Sequence, residues 1–247
     1  MLGRHDGPNS AATLPPVRSY VRDGIIIGLA TGVFGIAFGV LGSTNGLSVG
    51  QSMALSLLVF TGASQFAAVS VIGAGGSPIT AVGTALLLGA RNAFYGMTMA
   101  PHVPGSRLKR LVAAQLTIDE STALAVGQPS ADDVEGAFWA GGLSVFLFWN
   151  LGTLAGALGG QAIGDPNALG LDAAFPAGFI ALMMPALRNR SGRVAALAGS
   201  VIAVISIPLT RPGVPILLAA LGALIALKVA GPPPPAAPGR AGGEDRP

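Results

Sequence analysis

Cysteine is absent from this 247-residue chain, and histidine occurs only twice, as His5 and His102. The first absence excludes disulfides, thiolate metal sites and cysteine nucleophiles. The second leaves no histidine cluster for a metal, and no serine triad, phosphate loop or zinc motif can be read. The sequence therefore predicts no metal site, no cofactor and no enzyme. Charge is scarce too, at 10% of residues against about 25% in an ordinary soluble domain. A soluble globule is excluded on that ground. The run VIGAGG at 71–76 lacks the third glycine and the βαβ context of a dinucleotide fingerprint, so it reads as a turn.

What is present is apolar. Hydrophobic residues make up 51% of the chain and glycine 37 positions, with a mean hydropathy of +0.65. The charges crowd into short clusters between apolar stretches near the ~20 residues that cross a bilayer. The expected fold is an all-α polytopic membrane protein with about seven to eight transmembrane segments, some broken or re-entrant. The formal charge of +3 comes from arginines that flank apolar segments, with no basic stripe interleaved with aromatics. It reports orientation in a lipid bilayer and predicts no nucleic-acid partner. Gly28 with Gly32, Gly35 with Gly39, and Gly152 with Gly156 and Gly160 recur at four-residue spacing. Such stripes let helix backbones approach closely, and internal packing is the simpler use for them than a second subunit.

Along the chain, a polar N-terminal tail (1–19) precedes a transmembrane domain (20–230) and a Pro/Gly-rich tail (231–247), both tails being disordered by composition. No cleavage site follows Arg4, Arg18 and Arg22, so the first helix is expected to be retained. Spans are predicted over 24–42, 52–73, 79–100, 137–160, 174–187, 194–209 and 213–229, with a less apolar segment at 111–127. The second holds Thr61, Gly62, Ser64 and Gln65 in its middle and reads as a broken helix. Pro176 and Gly178 interrupt the span at 174–187, which follows an acidic loop bearing Asp165 and Asp172.

Positive charge favours the cytoplasmic side, which places the N-terminus and the loop of Arg188, Arg190 and Arg193 inside. The order of spans favours eight crossings, but that count strands Arg107, Lys109 and Arg110 outside. A re-entrant broken segment together with a non-crossing fourth segment removes the conflict. Residues 24–100 are also echoed by 137–209, with VFTGASQFAAV and AAFPAGFIAL at corresponding places. Interrupted segments at matching positions of two halves point to a transporter's central site.

Arg91 lies about 14 Å from the end of its span at 1.5 Å per residue, too deep for easy escape to the headgroups. A charge at that depth needs a partner and is a functional candidate. Asp119 and Glu120 are the nearest acidic residues along the chain, and a structural ion pair is the competing reading. Unwinding at FTGASQF would free backbone amides to attract a carboxylate. The candidate substrate-binding residues are Thr61, Ser64, Gln65, Arg91, Asn92, Asp119 and Glu120.

Five blocks carry a resemblance to a known family: LLVFTGASQFAAV, the arginine-bearing third span ending in MAPH, LTIDESTALA, FWNLGTLAGALGG and GLDAAFPAGF. In this order, over about residues 20–190, the chain resembles the AzlC family of branched-chain amino-acid export permeases. The resemblance implies a multi-pass permease of the bacterial inner membrane that exports valine, leucine or isoleucine with a small membrane subunit of the AzlD type. The chain departs from the family at Gly89 and Asn92, where Asn and His are usual, and at Ile118-Asp119-Glu120, where Thr-Asp-Glu is usual. The rival expectation is a non-transporting membrane scaffold or assembly subunit.

Overall fold

The computed structural model describes residues 19–162, 180, 183–184 and 186–230, and every regular element among them is helical. The helices are α1 (Ser19–Thr44), α2 (Val49–Leu58), α3 (Ala63–Gly73), α4 (Pro78–Gly89), α5 (Arg91–Met99), α6 (Arg107–Leu116), α7 (Asp119–Val126) and α8 (Ala131–Ala162). After residues outside that description come α9 (Arg190–Ser206), α10 (Val214–Ala219) and α11 (Leu221–Ala230). Three stretches, Ser19–Thr44, Ala131–Gly160 and Arg190–Leu209, are long and apolar enough to cross a membrane. The protein is an all-α, multi-pass membrane protein. Most of the expected span at 174–187 lies outside the described residues, as do Asp165, Asp172, the tails at 1–18 and 231–247, and nearly all of GLDAAFPAGF and AAFPAGFIAL.

The α1 and α8 helices form the centre and run parallel. Gly24 faces Ala140, Gly28 faces Ser144, Gly32 faces Phe148 and Gly39 faces Thr153, in step along both helices. A Cβ at Gly39 would meet the Thr153 carbonyl oxygen, and one at Gly156 would meet the Ile36 carbonyl oxygen. The glycine stripes are thus an internal seam, closing the gap through dispersion contacts where lipid supplies no hydrophobic drive. Beside it, Phe38 stacks on Trp149 with ring centroids 6.2 Å apart, and Phe66 stands edge-on to both.

Taking the end of α1 at Ser19 as the near end and that at Thr44 as the far end, the two broken segments turn back. Ser52 in α2 packs on Gly42, and Gly73 at the close of α3 packs on Asn45, so both arms of this hairpin meet the far end. Its tip, Val59–Gly62, lies half-way down, where the Phe60 and Phe146 rings are 4.9 Å apart. A capping box at Ser48 starts α2: its hydroxyl accepts from Gln51 N–H, and Gln51 Oε1 accepts from Ser48 N–H. At the tip, Phe60 (φ 38°) and Gly62 (φ 61°) have left-handed backbone, which ends α2 and reverses the chain.

The second hairpin enters from the near end. Lys109 in α6 pairs with Glu135 at the start of α8 at 2.6 Å, and Leu116 at the close of α6 lies against Gly142. The chain turns at Thr117 and Ile118, both extended. It then descends in α7 beside α8 and enters that helix through the four residues of 127–130. This path follows the alternative in which the broken segment at 52–73 is re-entrant and 111–127 does not cross, rather than the eight-crossing order. Polar and left-handed residues at the first tip, and the helix-to-extended switch at the second, break segments whose apolar length alone suggested crossing.

Between the hairpins, α4 and α5 traverse the full depth. The Ser77 hydroxyl caps α4 by accepting from Thr80 N–H, with Pro78 in the first turn. Past Ala90 the helix continues to Met99, which shares a cavity with Phe138 near the other end. On the outside of α4, Pro212 lies at Gly76, Gly213 at Thr80 and Leu217 at Gly83, so α10 runs alongside it and α11 continues from α10. Gly199 against Ala219 and Gly222 against Ala195 set α9 antiparallel to them.

Candidate functional site

Both hairpin tips are built by a side chain that reaches back over one turn. At the far tip Gln65 Oε1 accepts from Gly62 N–H at 3.0 Å, and at the near tip Ser121 Oγ accepts from Ile118 N–H at 3.1 Å. Gln115 joins the two, its Nε2 donating to the Leu57 carbonyl at 2.9 Å. The tips therefore meet at the middle of the bundle. There the N-termini of α3 and α7 point at one another from opposite ends.

Arg91, at the junction of α4 and α5, bridges the tips. Its Nη2 donates to the Thr61 carbonyl at 3.2 Å, and its Nε lies 3.2 Å from Asp119 Oδ1. The second contact is an ion pair rather than an aligned hydrogen bond, since neither atom has a hydrogen-bond partner among the described residues. Tyr95, one helical turn past Arg91, stands beside Asp119. Side-chain exposures of 38% for Arg91 and 41% for Asp119 show that the described helices do not seal the pair.

A cavity of about 90 Å³ opens between the tips, with Arg91, Asp119 and Glu120 on one side and Thr31, Phe34, Phe60, Phe66, Val145 and Trp149 forming its mainly apolar walls. The two helix N-termini facing it differ in charge. No acidic residue occupies the first turn of α3, so its partial positive charge is free for an anion. The first turn of α7 carries Asp119 and Glu120, which neutralise its dipole and leave net negative charge for a cation. A zwitterion fits this arrangement.

Of the residues singled out in the sequence, Thr61, Arg91, Asp119 and Glu120 converge on the cavity. Ser64 does not line it: its hydroxyl is paired with that of Thr61, and both residues border a larger apolar groove between α2, α3 and α4. Gln65 is fully buried and serves the tip, and Asn92 does not line the cavity. Sequence reasoning missed Thr31, Phe34, Val145 and Trp149. Phe60 and Phe66 flank TGASQ and could have been read as bracketing a site, whereas the contributions of α1 and α8 depend on how those helices rotate about their seam.

Helices of membrane-spanning length, two half-depth hairpins and a charged pair at their meeting point define a polytopic membrane protein with a charged centre at mid-depth. The chain belongs to the AzlC family, whose model, described as AzlC protein, matches residues 26–163. It is 27% identical over 199 residues to the branched-chain amino acid transport protein AzlC of Bacillus subtilis strain 168, covering 78% of each chain. An uncharacterized membrane protein of Archaeoglobus fulgidus is 34% identical over 167 residues, 66% of this chain and 73% of the relative. A further uncharacterized membrane protein, from Helicobacter pylori strain 26695, is 26% identical over 72% of this chain and 78% of its own length. No solved structure matches the chain.

Proposed function

We propose that this protein is a permease that exports branched-chain amino acids across the bacterial inner membrane, working with a small membrane subunit of the AzlD type. Family membership supports the class of substrate and the partner. The observation that carries the mechanism is Arg91 held between the two hairpin tips, 3.2 Å from the Thr61 carbonyl and 3.2 Å from Asp119, at the edge of an apolar cavity. The substrate carboxylate takes the place of Asp119 on Arg91 and faces the open N-terminus of α3, while Asp119 and Glu120 turn to the ammonium. Thr61 holds Arg91 through its carbonyl, Ser64 and Gln65 support the far tip from behind, and Asn92 follows Arg91 at the start of α5. Each charge of the zwitterion replaces one already present, so loading adds no uncompensated charge at membrane depth.

With the near end in the cytoplasm, α1, α8 and α9 cross outward, and α4–α5 and α10–α11 cross inward. The hairpins α2–α3 and α6–α7 enter without crossing. This topology places Arg107, Lys109 and Arg110 on the same side as Arg22 and Arg193, as the positive-inside rule asks. Parallel packing of α1 and α8, which the internal echo pairs with one another, supports a repeated architecture.

The test is Arg91→Gln in cells loaded with a leucine-containing dipeptide, reading internal leucine over time. Efflux is expected to fall to the background of cells lacking the protein, with the variant still abundant in the membrane. A scaffold stabilised by a structural ion pair behaves differently. In that case Arg91→Gln lowers membrane abundance, and adding Asp119→Asn restores it.

A further inference from the structure

The cavity at the hairpin tips is small, about 90 Å³ in all, and its apolar walls and charged edge line one space. Its walls come from three unconnected parts of the chain: Thr31 and Phe34 on α1, Phe60 and Phe66 at the far tip, and Val145 and Trp149 on α8. Four of these are held in place by the core. Phe60, Phe66, Val145 and Trp149 are 3%, 8%, 2% and 6% exposed, Trp149 is stacked on Phe38 and edge-on to Phe66, and Phe60 is edge-on to Phe146. Such walls cannot swing aside singly, because each ring is packed against another on a neighbouring helix.

Volume then sets a ceiling. An apolar cavity of about 150 Å³ takes a benzene ring, whereas this one, open at its charged edge, offers about 90 Å³. With a substrate's charged groups at the open edge, the apolar walls leave room for an aliphatic branch, and less room than the cavity that takes a phenyl ring. We infer that Trp149 and Val145, which line the cavity together with Thr31 and Phe60, are the specificity-determining residues, setting a size limit that accepts valine, leucine and isoleucine side chains and rejects aromatic ones. The inference rests on the transport reading above and names the residues that choose the substrate within it. It also gives the Trp149 indole a job beyond packing. The indole roofs the left-handed Gly62, lying in ordinary contact range of where a Cβ would be at that position, and so couples the cavity wall to the tip.

The test uses the full chain in cells loaded in parallel with leucine-, valine- and phenylalanine-containing dipeptides, with efflux normalised to protein in the membrane. The parent is expected to export leucine at least tenfold faster than phenylalanine. Trp149→Phe and Val145→Ala both enlarge the compartment and should raise the phenylalanine-to-leucine ratio at least fivefold. Thr31→Leu, which fills it from the half-buried rim, should lower the leucine-to-valine ratio. A parent that exports leucine and phenylalanine alike overturns the size limit and leaves the transport reading standing, as does failure of both enlarging variants to move the ratio. A parent that exports none of the three overturns both.

Discussion

The two hairpins perform the same turn with opposite electrical character. The far hairpin, α2–α3, has no charged residue in either arm or at its tip, and presents a bare helix N-terminus to the cavity. The near hairpin, α6–α7, carries Arg107, Lys109 and Arg110 in its entering arm and Asp119 with Glu120 at the start of its leaving arm. The difference teaches how one small cavity can bind both ends of a zwitterion. In the proposed transport reading, the uncharged hairpin offers backbone dipole to the carboxylate, the charged one offers side-chain carboxylates to the ammonium, and Arg91 ties the two together. Two hairpins of the same sign would bind only half of such a substrate.

The comparison breaks most sharply if the hairpins do not enter from opposite ends. Because the chain has no cysteine, single cysteines can be labelled with an impermeant maleimide without background. Substitutions at Ser106 and Ser130, which bracket the near hairpin, are expected to react only from the cytoplasmic side. Those at Ser48 and Ser77, which bracket the far one, should react only from outside. The effect is all-or-none. Labelling of Ser106→Cys from outside would mean that the segment at 111–127 crosses, and the pairing of opposed hairpins would be lost.

The break in the far hairpin was legible in the sequence, whereas for the near one the sequence offered only that 111–127 need not cross, and the reason is physical. Thr61, Gly62, Ser64 and Gln65 interrupt an otherwise apolar run, and a polar cluster inside a membrane segment signals a break. At the near tip the break falls between Leu116 and Asp119, residues compatible with an uninterrupted helix. What ends α6 is the extended backbone at Thr117 and Ile118, fixed by the Ser121 hydroxyl, which also donates to the Leu116 carbonyl at 2.7 Å. Nothing in the spacing announces that local hydrogen bonding. The charged half of the site was readable because ionised groups at depth are costly, whereas the aromatic walls look like any core residues until the α1–α8 seam sets their direction.

The tip supports sharpen the comparison further, since Gln65 and Ser121 do the same work with different completeness. Ser121→Ala leaves the Ile118 N–H and the Leu116 carbonyl unpaired together, at a cost of about 2 kcal/mol. Gln65→Leu strands only the Gly62 N–H while removing the side-chain Nε2, which has no partner among the described residues, so its cost is about 1 kcal/mol. Unfolding of the purified protein in SDS and detergent mixtures would rank them. A larger loss for Gln65→Leu would mean that its amide nitrogen is satisfied in the membrane, and that the far tip is the more tightly built of the two.

The smallest effect belongs to the contact that anchors the near hairpin's entering arm. Lys109 and Glu135 approach to 2.6 Å, yet their side chains remain 38% and 28% exposed, and partly solvated pairs contribute about 0–1 kcal/mol. The Trp139 indole also donates to Glu135 at 3.1 Å, so removing the carboxylate outright would disturb two interactions. Glu135→Gln keeps an oxygen for the indole and cancels only the charge. Combined with Lys109→Met in a double-mutant cycle, it should give a coupling of about 0.5 kcal/mol in the same SDS titration, diminished by added salt in the aqueous phase. A coupling above about 2 kcal/mol, insensitive to salt, would place the pair in a sheltered environment. The near hairpin would then be clamped at its entrance as well as at its tip, a restraint with no charged counterpart in the far hairpin, whose arms meet the end of α1 through Ser52 and Gly73.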